Sequence, residues 1–186
     1  IKSQNFLGLA ISKDNDLVAL TSSGDLFKMK TNNGQLYWSL KINSLTNQTT
    51  DFFKSSDIVI NNNQIIFSAA STIFSFDLKT GYLNWKKSID SNATPIVNGN
   101  NVMLVSSNGY FVNLDKKTGD IIWSTDSFKI LKKRKFEIQA TGFILGSDKM
   151  IITTSNGYII VCSANSGIPL SLKKIGDPIS SPPIIS

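Results

Sequence analysis

One pattern recurs four times along this chain and leaves few folds open to it. Aligned on a glycine, the copies fall at Gly34, Gly81, Gly119 and Gly167. Ten residues earlier stand Gly24, Ser71, Gly109 and Gly157, and four earlier stand Lys30, Asp77, Asp115 and Ser163. Four residues later stand Trp38, Trp85, Trp123 and, as a departure, Ser171. Five residues before the glycine lie Met29, Phe76, Leu114 and Cys162, and seven before it lie Phe27, Phe74, Val112 and Ile160. Both columns are apolar and two residues apart, so they share one face of a strand. The column between them, Lys28, Ser75, Asn113 and Val161, is mostly polar. That alternation predicts a strand in a sheet with unequal faces. The following turn ends in glycine because that position needs a positive φ. The Trp beyond it brings a large apolar area, suited to packing between neighbouring sheets.

The copies are 47, 38 and 48 residues apart, a mean of about 44, which is the period of a propeller blade. The predicted fold is therefore all-β: a β-propeller of four-stranded antiparallel blades, present as four blades plus one strand. Blade one takes strands at 6–11, 17–21, 25–30 and 35–40. A polar linker, residues 43–56, follows, with little in it that could pack. Blade two takes 57–60, 64–69, 72–77 and 82–88. Blade three takes 93–97, 101–106, 110–115 and 120–125. A second linker, residues 127–137, carries the densest charge run. Blade four takes 138–145, 149–154, 158–163 and 168–173. As one partial domain over 1–186, the blades span about 6–42, 57–88, 93–125 and 138–173. Residues 181–186 match the Thr94-Pro95-Ile96-Val97 start of blade three and would open a fifth. An open arc exposes apolar faces and strand edges that want a partner. Part of a larger ring is the favoured expectation, and two arcs closing an eight-bladed ring is the alternative.

The 186 residues suffice for a real core, and a hydrophobic content of 41% suits a folded protein. The formal charge of +6 invites a nucleic-acid reading. The charges are scattered over turns, however, and no nucleic-acid motif is present. There is no His, which removes the commonest general base and metal ligand. The single Cys162 forms no internal disulfide and leaves the redox compartment open. No run of 18 apolar residues offers a spanning helix. No signal peptide is visible, and the chain begins at Ile1 rather than Met, which leaves a leader open.

The repeat, fullest at Gly109 to Trp123 and at Phe76 to Trp85, resembles that of PQQ-like β-propellers. Three segments narrow the resemblance to the BamB family of outer-membrane assembly factors, in its alphaproteobacterial form. They are Ser56-Asp57-Ile58-Val59, the stretch Ile89 to Gly99, and the tail from Leu172 to Ile185. On that resemblance the chain is similar to the C-terminal half of an eight-bladed propeller. The sequence also departs from it. The family's usual Ala, six before the turn glycine, is replaced by Lys28, Ser75, Asn113 and Val161. Blade two lacks its first glycine, and blade four lacks its Trp and Asp.

The resemblance implies a non-catalytic periplasmic scaffold of the β-barrel assembly (BAM) complex. It would bind the periplasmic domains of BamA, meet other BAM components and unfolded outer-membrane proteins, and sit against the outer membrane through an N-terminal lipid. It would need no cofactor, no metal and no catalytic residue. The family grips its partner partly through an Asp-x-Asp pattern. Asp57 matches the first position and Val59 replaces the second. A PQQ-dependent dehydrogenase is the competing class. Those enzymes use a Cys-Cys pair, a catalytic Asp and a Glu/Asn calcium set, and no such constellation is visible here. The ligand-sensing propeller of a membrane kinase is a third class.

Other candidates carry a plain reading beside the functional one. Lys132, Lys133, Arg134 and Lys135, with Lys129, read as a solvated linker or as a contact for lipid phosphates or an acidic partner. Cys162 falls in a core column and lacks an activating base. Asp14-Asn15-Asp16 lacks the glycine and closing Glu of a calcium loop and reads as a turn. Asp77 and Asp115 hold a repeat position, which points to turn hydrogen bonding. The three Trp residues read as packing.

Overall fold

Most of the strand signals are joined by glycine turns, and all of the described sheets are built of hairpins. The computed structural model describes residues 8–45, 55–131, 138–177, 179–180 and 183–184. Among the described residues sixteen strands form four antiparallel sheets. The first sheet joins β1 (Gly8–Ile11), β2 (Asp16–Leu20), β3 (Asp25–Lys30) and β4 (Leu36–Lys41). The second joins β5 (Val59–Asn61), β6 (Gln64–Ala69), β7 (Thr72–Asp77) and β8 (Leu83–Ser88). The third joins β9 (Ile96–Asn98), β10 (Asn101–Val105), β11 (Tyr110–Asp115) and β12 (Ile121–Asp126). The fourth joins β13 (Ala140–Gly146), β14 (Lys149–Thr154), β15 (Tyr158–Ser163) and β16 (Pro169–Lys174). Chain neighbours are sheet neighbours in every case. The start of blade three falls at Ile96 rather than at 93, because Pro95 has no N–H to give a ladder. Residues 6–7 of the first expected strand lie outside the described residues. So does most of the expected fifth blade at 181–186.

The chain divides into two compact units, residues 1–95 and 96–186. In the first, Val18, Leu20 and Leu26 pack into one core with Ile65, Phe67, Phe74 and Phe76 of the second sheet. The three Phe rings stack with centroids 5.6 to 6.0 Å apart. Trp38 spans the two sheets. Its Nε1 donates to the Leu78 carbonyl at 3.2 Å, and its ring lies so close to Gly81 that a Cβ there would stand 2.8 Å from it. The second unit repeats the device. A Cβ on Gly167 would stand 2.7 Å from the Trp123 ring. That ring meets Phe111 edge-on at 4.8 Å, and the Thr125 hydroxyl donates to the Ser166 carbonyl at 2.7 Å.

Burial adds to both readings. The more polar face is also covered: Lys28, Ser75 and Asn113 are all buried. Central strands of stacked sheets are covered on both faces, so the alternation records chemistry within the interior rather than an inside and an outside. The described ends of the linkers pack. Leu45 packs against the first core from the 3-10 turn Asn43–Leu45. The second linker opens with a 3-10 helix, Ser127–Ile130, capped by the Asp126 side chain, and buries Phe128 over Gly109.

Candidate functional site

Asp57 is placed by the residue before it. Ser56 is buried; its N–H donates to the Ser68 carbonyl at 2.8 Å and its hydroxyl accepts from the Ser68 N–H at 3.0 Å. This pins the segment ahead of β5 to β6 and leaves Asp57 exposed at its end. The Thr94 hydroxyl donates to Asp57 Oδ2 at 3.3 Å. Thr94 is itself on a segment tied back to blade two, where the Ser71 hydroxyl donates to Asp90 Oδ1 at 2.9 Å. The described hydrogen bond thus reaches the carboxylate through one oxygen. Val59 is part of β5, half-buried and opposite Ile66. A strand residue stands there in place of a second carboxylate.

The remaining sequence candidates are scattered. Lys132, Lys133, Arg134 and Lys135 lie outside the described residues, while Lys129 is exposed in the last turn of the 3-10 helix. Cys162 is fully buried, and burial pushes its thiol up to about 11, so it stays protonated at neutral pH. Asp77 and Asp115 each close their turn, accepting from the N–H groups two and three residues on at 2.8 to 2.9 Å. Burial works to raise Asp77, but hydrogen bonds from Thr80, Lys79 and Asn63 leave it below its usual value. The Thr118 N–H is the main cause of the same lowering at Asp115.

Blade one holds a cluster that sequence reasoning missed. Asp14-Asn15-Asp16 is a turn, with Asn15 at φ 61°. Asp16, however, is buried and pairs with the buried Lys28 at 3.0 Å. The Lys28 ammonium lies 4.7 Å from the centre of the Tyr37 ring. Desolvation first, then the Asp16 and Asp14 carboxylates, raise the Tyr37 hydroxyl above its usual value. The available signal was Lys28 itself, a charge in the column opposite the two apolar ones. An Asp twelve residues earlier was its natural partner.

What surrounds Asp57 is a repeat-built scaffold, and the repeat matches a known one. The family model of outer membrane protein assembly factor BamB matches residues 6–125. The chain belongs to the BamB family. BamB from Moraxella catarrhalis superposes with a TM-score of 0.71 at 15% identity, over 98% of this chain and 53% of that one. The computationally designed Ika8 protein gives 0.70 at 17% identity, over 96% and 52%. The Cps50 (Swd1) β-propeller domain of Myceliophteria thermophila gives 0.69 at 10% identity, over 92% and 55%. The fold is that of a partial β-propeller, and the chain spans about half the length of these structures. No curated protein matches the sequence. In this BamB-family chain the aspartates of the turns serve the fold, while Asp57 stands outside the repeat.

Proposed function

We propose that this chain belongs to a non-catalytic periplasmic scaffold of the BAM complex, which binds BamA and aids delivery of outer-membrane proteins. The family match over residues 6–125 carries the reading. Asp57 adds to it as an exposed, positioned carboxylate in a connection between blades. An exposed carboxylate suits a basic side chain of a partner. The same reading places the protein at the outer membrane through an N-terminal lipid. The basic run from Lys132 to Lys135 would then lie against anionic headgroups or an acidic neighbour.

The test is a titration of the parent protein against the soluble periplasmic part of BamA from the same source. The expected result is saturable binding in the micromolar range or tighter, weakened by Asp57→Ala. No binding by a protein shown to be folded would refute the scaffold reading.

A further inference from the structure

Asparagine is followed by glycine four times, at Asn33, Asn98, Asn108 and Asn156. The pair carries its own chemistry. A glycine has no Cβ to shield its backbone nitrogen, so that nitrogen can attack the side-chain amide carbon of the asparagine before it. The attack needs two freedoms: a glycine N–H released from any acceptor, and an asparagine side chain able to swing onto it. Three of the four pairs have neither. The N–H groups of Gly34, Gly109 and Gly157 donate to the carbonyls of Lys30, Ser106 and Thr154 at 2.9 to 3.1 Å. The side chains are held as well. Asn33 Oδ1 accepts from the Gln35 N–H at 3.0 Å, Asn108 Oδ1 from the Ser106 hydroxyl at 2.5 Å, and Asn156 Oδ1 from the Thr154 hydroxyl at 2.9 Å.

Asn98 and Gly99 differ on each count. Both are exposed. Gly99, at φ 58°, takes the first central position of the two-residue turn between β9 and β10, where its N–H lies outside the ladder. Among the described residues nothing accepts from that N–H, and nothing bonds the Asn98 side chain. The segment is also weakly held. β9 is three residues long, Asn98 is its last rung, and Pro95 ahead of it has no N–H to give. Such a strand end opens at little cost. We propose that Asn98 is a site of spontaneous deamidation, the Asn-Gly pair that the fold leaves reactive. The Gly99 nitrogen bonds to Asn98 Cγ, the Cγ–Nδ2 bond breaks, and Nδ2 leaves as ammonia with the proton of the Gly99 N–H. Water then opens the succinimide ring. Cleavage at Cγ gives aspartate, and cleavage at the backbone carbonyl gives isoaspartate, whose chain runs through Cβ. Either product puts a negative charge on the turn, and isoaspartate also breaks the pairing of Asn98 with Asn101. This proposal stands independently of the BamA reading.

The test incubates the intact protein in mildly alkaline buffer and follows conversion of amide to acid at each pair by peptide mass spectrometry, with fragmentation to assign the site. A parallel sample in urea removes the fold. In the folded protein Asn98 should convert at least about tenfold faster than each of the other three, and in urea the four rates should converge. Gly99→Ala has open space for its Cβ. It should slow conversion at Asn98 at least about fivefold by shielding the nitrogen and leave the other three sites unchanged. The proposal is overturned if another pair converts as fast as Asn98 in the folded protein, or if folded Asn98 stays intact while the urea sample converts. An unaltered rate in Gly99→Ala overturns it as well. So does an Asn98 advantage that persists in urea, since local sequence and not the fold would then set it.

Discussion

At the level of single residues, a hydroxyl stands thirteen positions before each turn glycine: Thr21, Ser68, Ser106 and Thr154. Three of the four do the same job. Thr21, Ser106 and Thr154 each accept the N–H four residues on, at 2.9 to 3.0 Å, across a turn that ends in a glycine of positive φ. In blade two the glycine is Ser71, and the chain turns instead through Ala70 and Ser71, both left-handed at φ 48° and 55°. Pairing then runs on to Ala69 opposite Thr72, and the buried Ser68 hydroxyl is left without a partner. The missing glycine was legible in the sequence. Its effect on a side chain three residues away was not, because it acts through the type of turn. Ser106→Ala and Thr154→Ala should each cost about 1 kcal/mol. Ser68→Ala should be neutral or stabilising, since it removes an unsatisfied group. Ala70→Gly should add about 0.5 to 1 kcal/mol by relieving a left-handed alanine. Urea midpoints of the four variants check all of this, and a Ser68→Ala loss as large as the other two would refute the turn argument.

At the level of elements, each of the two units sets a Trp of its first blade on the turn glycine of its second. Gly81 and Gly167 are therefore constrained twice, by a φ of 74° and 71° and by the ring above them. Gly34 has a similar φ of 70° but nothing described within 4 Å of an added Cβ, so it isolates the backbone contribution. Gly34→Ala should cost about 1 to 2 kcal/mol, and Gly81→Ala about 2 to 4 kcal/mol. Equal losses in denaturant melts would remove the Trp from the explanation. The glycine and Trp columns were readable from spacing alone. That each pair meets between blades follows only from the stacking of the sheets. The turn aspartates make a second prediction. Both folded-state values lie below the usual carboxylate value of 3.8. Their stabilising effect is thus complete above that pH and is lost as pH falls through the lowered values. Asp77→Asn with Asp115→Asn should flatten the acid limb of the stability curve below about pH 4. A limb of unchanged steepness would mean that other carboxylates govern acid unfolding.

At the level of the whole molecule, the sequence separated fold from function unevenly, and the reason is physical. A blade has to repeat because a sheet buries a face against its like, so the fold is written four times. A docking surface is written once and leaves no period. The Lys28–Asp16 pair shows how such singular features escape: its members lie in different strands and meet only when the hairpin closes. Asp57 emerged from resemblance, and the structure adds the Thr94 contact that orients it. If the proposed function holds, on a chain of net charge +6 one acidic anchor should act locally and not by long-range steering. Asp57→Asn, which keeps size and loses charge, should then weaken BamA binding about as much as Asp57→Ala. We expect about 1 to 2 kcal/mol, roughly a 5- to 30-fold change. The loss should appear mainly in the dissociation rate, and raising salt should shrink the gap between wild type and variant. Binding kinetics at two ionic strengths measure both effects. An Asp57→Asn variant that binds like the wild type would show that the carboxylate charge is not the anchor. A loss shared by both variants and insensitive to salt would point to the Thr94 hydrogen bond and the shape of the loop instead.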